Sequence, residues 1–267
     1  MSNVINTNVS AITAARYSTM AEKALDRATQ RLSSGLRVNS ARDDAAGLAI
    51  ATRMDSQLRG MKVAMRNTND ATSLVQVADS GLGTTTDILG RMRELAVQAA
   101  NGSLGASDRA NLDAEYQSLS SEITRLASQT TFNGLAILGA DAGAQTFQVG
   151  HQVGDTFSVT TTALTTVAGD LTSAANANTA MGAIDTKLDA LNTQRATLGA
   201  SMNRLDYISN SLQIGVENTS AAKSRIMDAD FASETAELSK QQILQQASMA
   251  MLAQSNARPQ NILSLLR

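Results

Sequence analysis

The chain has 267 residues, a formal net charge of -2 and no cysteine. A nearly neutral charge gives no basic excess to hold a nucleic-acid backbone, so we expect no nucleic-acid partner. The lack of cysteine excludes disulfides and thiolate chemistry. Aromatic residues are only 3% of the chain against 43% hydrophobic residues in all, a composition that favours closely packed helices over ligand pockets.

The N-terminal sequence has neither the basic leader nor the continuous apolar core of a secretory signal, and no window is apolar enough to span a membrane. We therefore expect no membrane insertion, and export by another machine if the protein leaves the cell. A single proline leaves long helices almost uninterrupted.

The first predicted element is a helix over residues 3–34 with small and apolar residues at heptad spacing. Its repeating positions are Val4, Ala11, Ser18, Leu25 and Leu32, interleaved with Thr7, Ala14, Ala21 and Ala28. Alanine lets two helices approach closely but buries little area, so we expect this helix to be weak alone. Gly35 is expected to end it in the left-handed conformation.

A long second helix, from about residue 47 to residue 100, is predicted from an apolar stripe with spacings of three and four. The stripe consists of Met61, Ala64, Thr68, Ala71, Val75, Ala78, Leu82, Thr85, Leu89, Met92, Ala96 and Ala99. Residues 40–43 are typical of a capping box at its start, with Asp43-Asp44 in the first turn. At about 1.5 Å per residue the helix would be roughly 80 Å long, and its stripe requires a partner. Gly81 and Gly83 predict a weak point or kink.

The middle of the chain combines a shorter helix with a change to strand periodicity. Ser107-Asp108 opens the helix, and Thr131–Gly134 predicts a turn. The helix has one apolar face, made of Leu112, Tyr116, Leu119, Ile123 and Leu126. Alternating apolar residues predict a β-hairpin at Phe147, Val149, Phe157 and Val159. The stretch Thr160–Thr179 has few large apolar residues, so we expect an exposed surface stub.

Two more helices are predicted towards the C-terminus, over residues 181–227 and from Phe231 onwards, the second one capped by residues 228–230. The first repeats every seven residues at Ile184, Leu191, Leu198, Leu205, Leu212, Thr219 and Ile226. The second has an apolar side made of Ala236, Ile243, Ala247, Ala250 and Ala257, with Leu244 and Met251 beside it. Pro259 is expected to bend or interrupt this last helix.

These elements predict a mainly α fold: a long antiparallel α-helical coiled-coil bundle with one small β-hairpin region. No residue pattern indicates an enzyme, a cofactor or a metal site. His151 is the only histidine, which excludes multi-histidine metal spacings and favours a role in the hairpin turn. Arg91, Arg93 and Glu94 form either a charged recognition patch or an ordinary solvated helix face.

Several sequence blocks resemble bacterial flagellin, the subunit of the flagellar filament. The blocks are TQRLSSGLRVNSARDDAAGLAIATRM at residues 29–54, RMRELAVQAANG at 91–102, QTTFNG at 129–134, FQVG at 147–150 and ARPQNILSLLR at 257–267. The resemblance covers roughly residues 1–160 and 180–267, with the blocks in the order found in the family.

The resemblance implies an extracellular protein that passes through the flagellar type III apparatus and polymerises with other flagellin copies. A flagellar export chaperone, the filament cap and hook-junction proteins are the other implied partners. Residues 1–40 and 230–267 would form the inner filament core, 41–140 and 180–229 the rod layer, and 141–179 the hairpin and stub. Large outer domains are absent.

Apolar burial of the terminal helices between copies is expected to drive assembly. The candidate self-assembly residues are Val4, Ala11, Leu25, Leu32, Ile243, Leu244, Met251, Leu252, Leu263 and Leu266. The resemblance also implies a patch read by the flagellin-sensing toll-like receptor of vertebrates, at Arg91, Leu95 and Glu115, although Gly90 stands where many relatives have a polar side chain.

Two other functions remain open on the sequence. A hook-filament junction protein shares flagellin-like ends and builds one layer of the same tube. A cytosolic coiled-coil adaptor would form a stable dimer without long polymers.

Overall fold

We describe the protein from a computed structural model over residues 7–264, with side chains over residues 7–258. The fold is mainly helical, with long helices packed antiparallel, as predicted. The elements in chain order are α1 (Val9–Ser34), α2 (Ala45–Ala99), α3 (Ala106–Gln129), β1 (Thr131–Phe132), β2 (Leu135–Ala136), β3 (Ala144–Gln148), β4 (Thr156–Thr160), α4 (Ala174–Met227) and α5 (Phe231–Ser264).

The chain forms two compact units. The terminal unit holds both ends of the chain, up to Ser56 and from Asn218, and the central unit holds Gln57–Glu217. The layer boundaries inferred from the family, at residues 40 and 230, concern the assembled filament and stay a prediction.

The core of the central unit is the apolar stripe of α2, and all twelve of its predicted positions are buried. The partner is α4, whose Ile184, Leu191, Leu198 and Leu205 are buried in the same unit. Two ion pairs join the helices, Arg93 to Asp185 at 2.7 Å and Arg195 to Asp79 at 2.8 Å. The ion pair that lies further along α2 involves the earlier residue of α4. The two helices therefore run antiparallel, as predicted.

The start of α2 differs from the predicted capping box. The Asp44 carboxylate accepts the Gly47 N–H at 2.8 Å and is therefore the N-cap. Asp43 instead accepts the N–H and the hydroxyl of Ser40, each at 3.0 Å, and closes a separate turn before the helix. These bonds from Ser40 lower the pKa of Asp43. The prediction that both aspartates lie in the first turn was wrong, because the chain makes one more turn before it enters the helix.

The caps predicted for the terminal helices are confirmed. Gly35 follows α1 with φ of 69°, and its N–H donates to the Arg31 carbonyl at 2.8 Å. The Asp230 carboxylate accepts the Ala232 N–H at 3.0 Å at the start of α5. The helix then continues through position 259 to Ser264, so the expected interruption at Pro259 was wrong.

The stretch between β4 and α4 is not the exposed stub that its composition predicted. Val167 and Leu171 are buried in the central core, and α4 begins at Ala174 rather than residue 181. The Leu171 N–H donates to the Asp113 carboxylate at 2.8 Å, and the Leu164 N–H donates to the Leu138 carbonyl at 2.9 Å. Val167 and Leu171 thus anchor this segment in the core. Its backbone N–H groups donate hydrogen bonds to α3 and to the segment that follows β2.

The strands form two small antiparallel sheets rather than one. The predicted hairpin is present, with Phe147 opposite Phe157 and His151 exposed in the β3–β4 connection. The predicted turn at residues 131–134 is itself part of a second sheet, β1–β2. Asn133 and Gly134 both have positive φ, at 50° and 83°, which is the geometry of a two-residue hairpin turn.

Gly81 is a close-packing position on α2, which is continuous there. A Cβ at Gly81 would lie 2.8 Å from Leu138 Cδ1 and 3.0 Å from Thr130 Oγ1. Leu138 is fully buried and has little room to yield. The absence of a side chain therefore lets the segment after α3 lie directly on α2.

Gly83 provides a matched control for Gly81, because a Cβ there meets nothing within 4 Å. We expect Gly83→Ala to raise the free energy of unfolding by about 0.5–1 kcal/mol through helix propensity. Gly81→Ala has the same gain but adds overpacking that costs about 1–3 kcal/mol. Urea unfolding of both variants measures the difference, and equal stabilities would contradict the close-packing role.

Candidate interaction surface

The helices α1 and α5 form an antiparallel pair in the terminal unit, which we call the terminal helix pair. Asn8 Nδ2 donates to the Ser255 carbonyl at 2.7 Å near the start of α1. Arg31 lies 3.7 Å from Glu234 at the other end of the pair. Because these contacts lie near opposite ends of α1, the two helices run side by side along most of α1.

The side of α1 that faces α5 is built from small residues. Ala14, Ala21 and Ala28 are buried, and Leu25 and Leu32 on the same side are half-buried. This confirms that the predicted heptad of α1 is a packing side. Each alanine buries little apolar area, so the pair gains limited stabilisation from it.

The side of α5 that faces inwards is largely polar. Its half-buried or buried positions are Glu234, Glu237, Leu238, Gln241, Gln245, Ser248, Leu252 and Ser255, and all but Glu237 follow heptad spacing. Gln241 Nε2 donates to Glu237 at 2.6 Å, and this bond together with Lys240 lowers the pKa of Glu237. The polar side of α5 therefore packs against the alanine side of α1. The two helices approach closely, but their contact buries little apolar area.

The apolar side predicted for α5 is exposed in the single chain. Its seven residues all face solvent: Ala236, Ile243, Leu244, Ala247, Ala250, Met251 and Ala257. Ile243 is 66% exposed and Met251 is 61% exposed. Nothing else in the described part of the chain covers this side, and an apolar helix face of this length is typical of an interaction site.

A matching apolar set lies on α1 and was not identified from the sequence. It consists of four exposed side chains at positions outside the small-residue heptad of α1: Val9, Ile12, Tyr17 and Met20. Of sixteen exposed large apolar side chains among the described residues, nine lie on α1 and α5. The sequence signal for this set is a second series of apolar residues on α1, separated by three, five and three residues.

A groove of about 470 Å³ opens between the two helices near the start of α1. Val9 and Tyr17 line it from α1, and Met251 and Arg258 line it from α5. The groove gives the terminal helix pair a concave feature with mixed apolar and polar lining.

The candidate self-assembly residues thus divide into two structural groups. Ala11, Leu25, Leu32 and Leu252 are half-buried in the single chain, whereas Ile243, Leu244 and Met251 are exposed. Three further candidates, Val4, Leu263 and Leu266, lie outside the described side chains.

The candidate receptor residues lie in the central unit. Arg91 donates two bonds to the Glu115 carboxylate, at 2.9 and 3.0 Å, and a third to Glu94. Arg91 and Glu115 are exposed, but Leu95 is only 1% exposed because it packs in the central core. Leu95 therefore cannot offer its side chain to a partner on this surface. Arg93 is held separately by Asp185.

Tyr116 is buried in the central core. Burial raises the pKa of the Tyr116 phenol, with the Asp113 charge adding to the effect. No group of three or more potential metal ligands occurs among residues 7–258. Within the part that the structure describes, no helix has the length and apolarity to cross a membrane.

Known proteins match both ends of the chain and most of its length. The bacterial flagellin N-terminal helical region matches residues 5–143, and the C-terminal helical region matches residues 181–266. A flagellin of Halalkalibacterium halodurans is 43% identical, over 99% of this chain and 100% of its own. Flagellin FlaB1 of Treponema pallidum is 38% identical, over 99% of this chain and 100% of its own.

A solved structure supports the same assignment. The crystal structure of Bacillus cereus flagellin matches 55% of this chain and 88% of its own chain, with a TM-score of 0.50 and 37% identity. The two matched regions together leave only residues 144–180 between them, so this chain has no large middle domain. The chain belongs to the bacterial flagellin family and is a structural, non-enzymatic subunit of the extracellular flagellar filament.

Proposed function

We propose that copies of this flagellin join in the filament through the outer side of the terminal helix pair. The observation that carries the proposal is the concentration of exposed apolar side chains on α1 and α5. A second copy of the same chain is the occupant, since the family polymerises with itself. Residues 1–40 and 230–267 would then form the inner core of the filament.

Apolar burial on these helices offsets much of the cost of association. Full burial of a large aliphatic or aromatic side chain stabilises by about 1.5–3 kcal/mol. Nine such side chains, already partly shielded, would contribute on the order of 10 kcal/mol, which is comparable with the about 4–15 kcal/mol cost of association. Further contacts between central units would add to this balance.

The finer partners follow from the same surface. The exposed apolar side of α5 needs shielding before assembly, and a flagellar export chaperone that covers the C-terminal helix would provide it during passage through the type III apparatus. The filament cap and hook-junction proteins would meet the same helices at the two ends of the polymer.

Filament subunit is favoured over hook-filament junction protein. The two relatives described above match nearly the whole chain and carry flagellin names. The test is polymerisation of the purified protein on filament seeds, followed by electron microscopy. Long tubes are expected, and a product limited to a short ring or a soluble dimer would contradict the proposal.

We expect Arg91→Ala to weaken, by about tenfold, the response of reporter cells that express the flagellin-sensing toll-like receptor. Arg91 and its partner Glu115 present an exposed ion pair, and such a pair has modest stability but offers directional contacts. Arg93→Ala removes a neighbouring exposed ion pair and is the control, with a response like that of the unchanged protein. If the reporter-cell response to Arg91→Ala equals the response to Arg93→Ala, a receptor contact at Arg91 is contradicted.

A further inference from the structure

The exposed methionines among the described residues all lie in the terminal unit, whereas Met54 and Met227 of the same unit are half-buried. Among the ten described methionines, the exposed ones are Met20, Met249 and Met251, and all three lie on the terminal helix pair. They are 59%, 50% and 61% exposed. In the central unit, Met61 and Met92 are buried, at 6% and 0%.

Methionine is the sulfur chemistry available to this protein, because the chain contains no cysteine. A peroxide transfers one oxygen atom to the thioether sulfur, which is oxidised by two electrons to the sulfoxide while hydrogen peroxide is reduced to water. The product is a polar, chiral side chain in place of a flexible apolar one. Exposure of the sulfur to solvent decides which methionines react.

We propose that Met20, Met249 and Met251 form an oxidation-sensitive switch that blocks assembly of the subunit. The proposal rests on the proposed function, in which the outer side of the terminal helix pair is covered by other copies. A sulfoxide on this side carries a strong hydrogen-bond acceptor into an apolar contact, where it loses its water without gaining a donor.

The position of Met251 gives the effect a specific place. Met251 lines the groove between α1 and α5 together with Val9 and Tyr17. Oxidation there adds a strongly polar group to a groove whose exposed lining is mostly apolar, although Ser10, Thr13, Ser248, Ser255 and Arg258 also line it. Oxidation of Met20 and Met249 adds polar groups elsewhere on the terminal helix pair. The modified subunit therefore presents a more polar surface to the next copy.

The switch predicts a difference between free and assembled protein. In free subunits treated with hydrogen peroxide, we expect sulfoxide to form at Met20, Met249 and Met251 at least about tenfold faster than at Met61 and Met92, as followed by peptide mass spectrometry. In preformed filaments, the three terminal methionines are expected to react at least about tenfold more slowly than in free subunits. Equal reaction rates in the two states would overturn the proposal.

The functional arm measures seeded polymerisation. Oxidised subunits are expected to need an at least about tenfold higher concentration to grow, equivalent to about 1.4 kcal/mol per added subunit. Treatment with both methionine sulfoxide reductases and a thiol reductant should restore growth, since each enzyme reduces one epimer. Growth of the oxidised subunits at the original concentration would overturn the switch.

A variant in which Met20, Met249 and Met251 are all replaced by leucine separates this switch from general oxidative damage. Leucine keeps the apolar volume and has no sulfur, so the variant should polymerise equally well before and after peroxide. Loss of growth after peroxide in this variant would assign the effect to other residues and overturn the proposal. If untreated protein forms no filaments, the proposed function itself fails; if treated and untreated protein both form them, only the switch fails.

Discussion

Replacing Ile243 with aspartate is expected to abolish filament growth and leave the free subunit folded. Ile243 is one of the most exposed large apolar side chains of α5, so the free subunit tolerates a charge at this position. In the proposed contact another copy covers this position in the polymer, where a desolvated, unpaired carboxylate costs at least several kcal/mol. A cost of about 4 kcal/mol raises the concentration needed for growth about a thousandfold.

Sedimentation of seeded reactions measures the growth of the Ile243→Asp variant, and circular dichroism with thermal unfolding checks its fold. Ile243→Leu is the first control, because it keeps an apolar side chain, and it should grow normally. Val153→Asp is the second control, since it adds the same charge at a fully exposed position in the β3–β4 connection. Normal growth of Ile243→Asp would contradict the proposed contact between copies.

Replacing Leu198 with alanine is expected to lower the free energy of unfolding of the central unit by about 2–5 kcal/mol. Leu198 is completely buried on the α4 side of the core, against the continuous stripe of α2. Loss of three side-chain carbons there removes apolar burial and leaves a cavity that long, regular helices cannot close by a local shift.

Ile214→Ala is the matched control for Leu198→Ala, because both residues are aliphatic and lie on α4 in the central unit. Ile214 is 59% exposed, and its replacement should change stability by less than about 0.5 kcal/mol. Urea unfolding of the two variants measures the contrast. Similar losses for both would mean that the heptad of α4 does not form the core as described.

The long helices of the central unit were predictable because their pattern is redundant. Twelve positions of α2 and a seven-residue repeat of α4 indicate the same buried sides, so one glycine or threonine does not change the result. The β-hairpin was predictable for the same reason, since four apolar residues alternate around a glycine-containing turn.

The failures in the central unit come from contacts between segments distant in sequence. The packing role of Gly81 was not predicted, because propensity describes the helix alone, whereas this role depends on Leu138 lying against it. The Thr160–Thr179 stretch was taken for an exposed stub because its composition is polar. Its place in the structure depends on Val167 and Leu171, which are few but buried.

Periodicity alone does not show what covers an apolar side of a helix, as the terminal helix pair illustrates. The apolar side of α5 was identified correctly, but the pattern does not say whether the same chain or another copy covers it. The structure shows that α1 packs on the polar side instead and leaves Ile243 and Met251 exposed. The family polymerises with itself, and we propose that another copy of the subunit covers this side.

The central claim is that the terminal helix pair becomes firmly protected only when copies cover its outer side. Amide hydrogen exchange of free subunits and filaments tests this directly, because exchange reports the free energy of local opening. We predict that peptides from α1 and α5 exchange at least about a thousandfold more slowly in filaments, while buried parts of α2 and α4 change little. Equal, strong protection of α1 and α5 in both states would contradict the account.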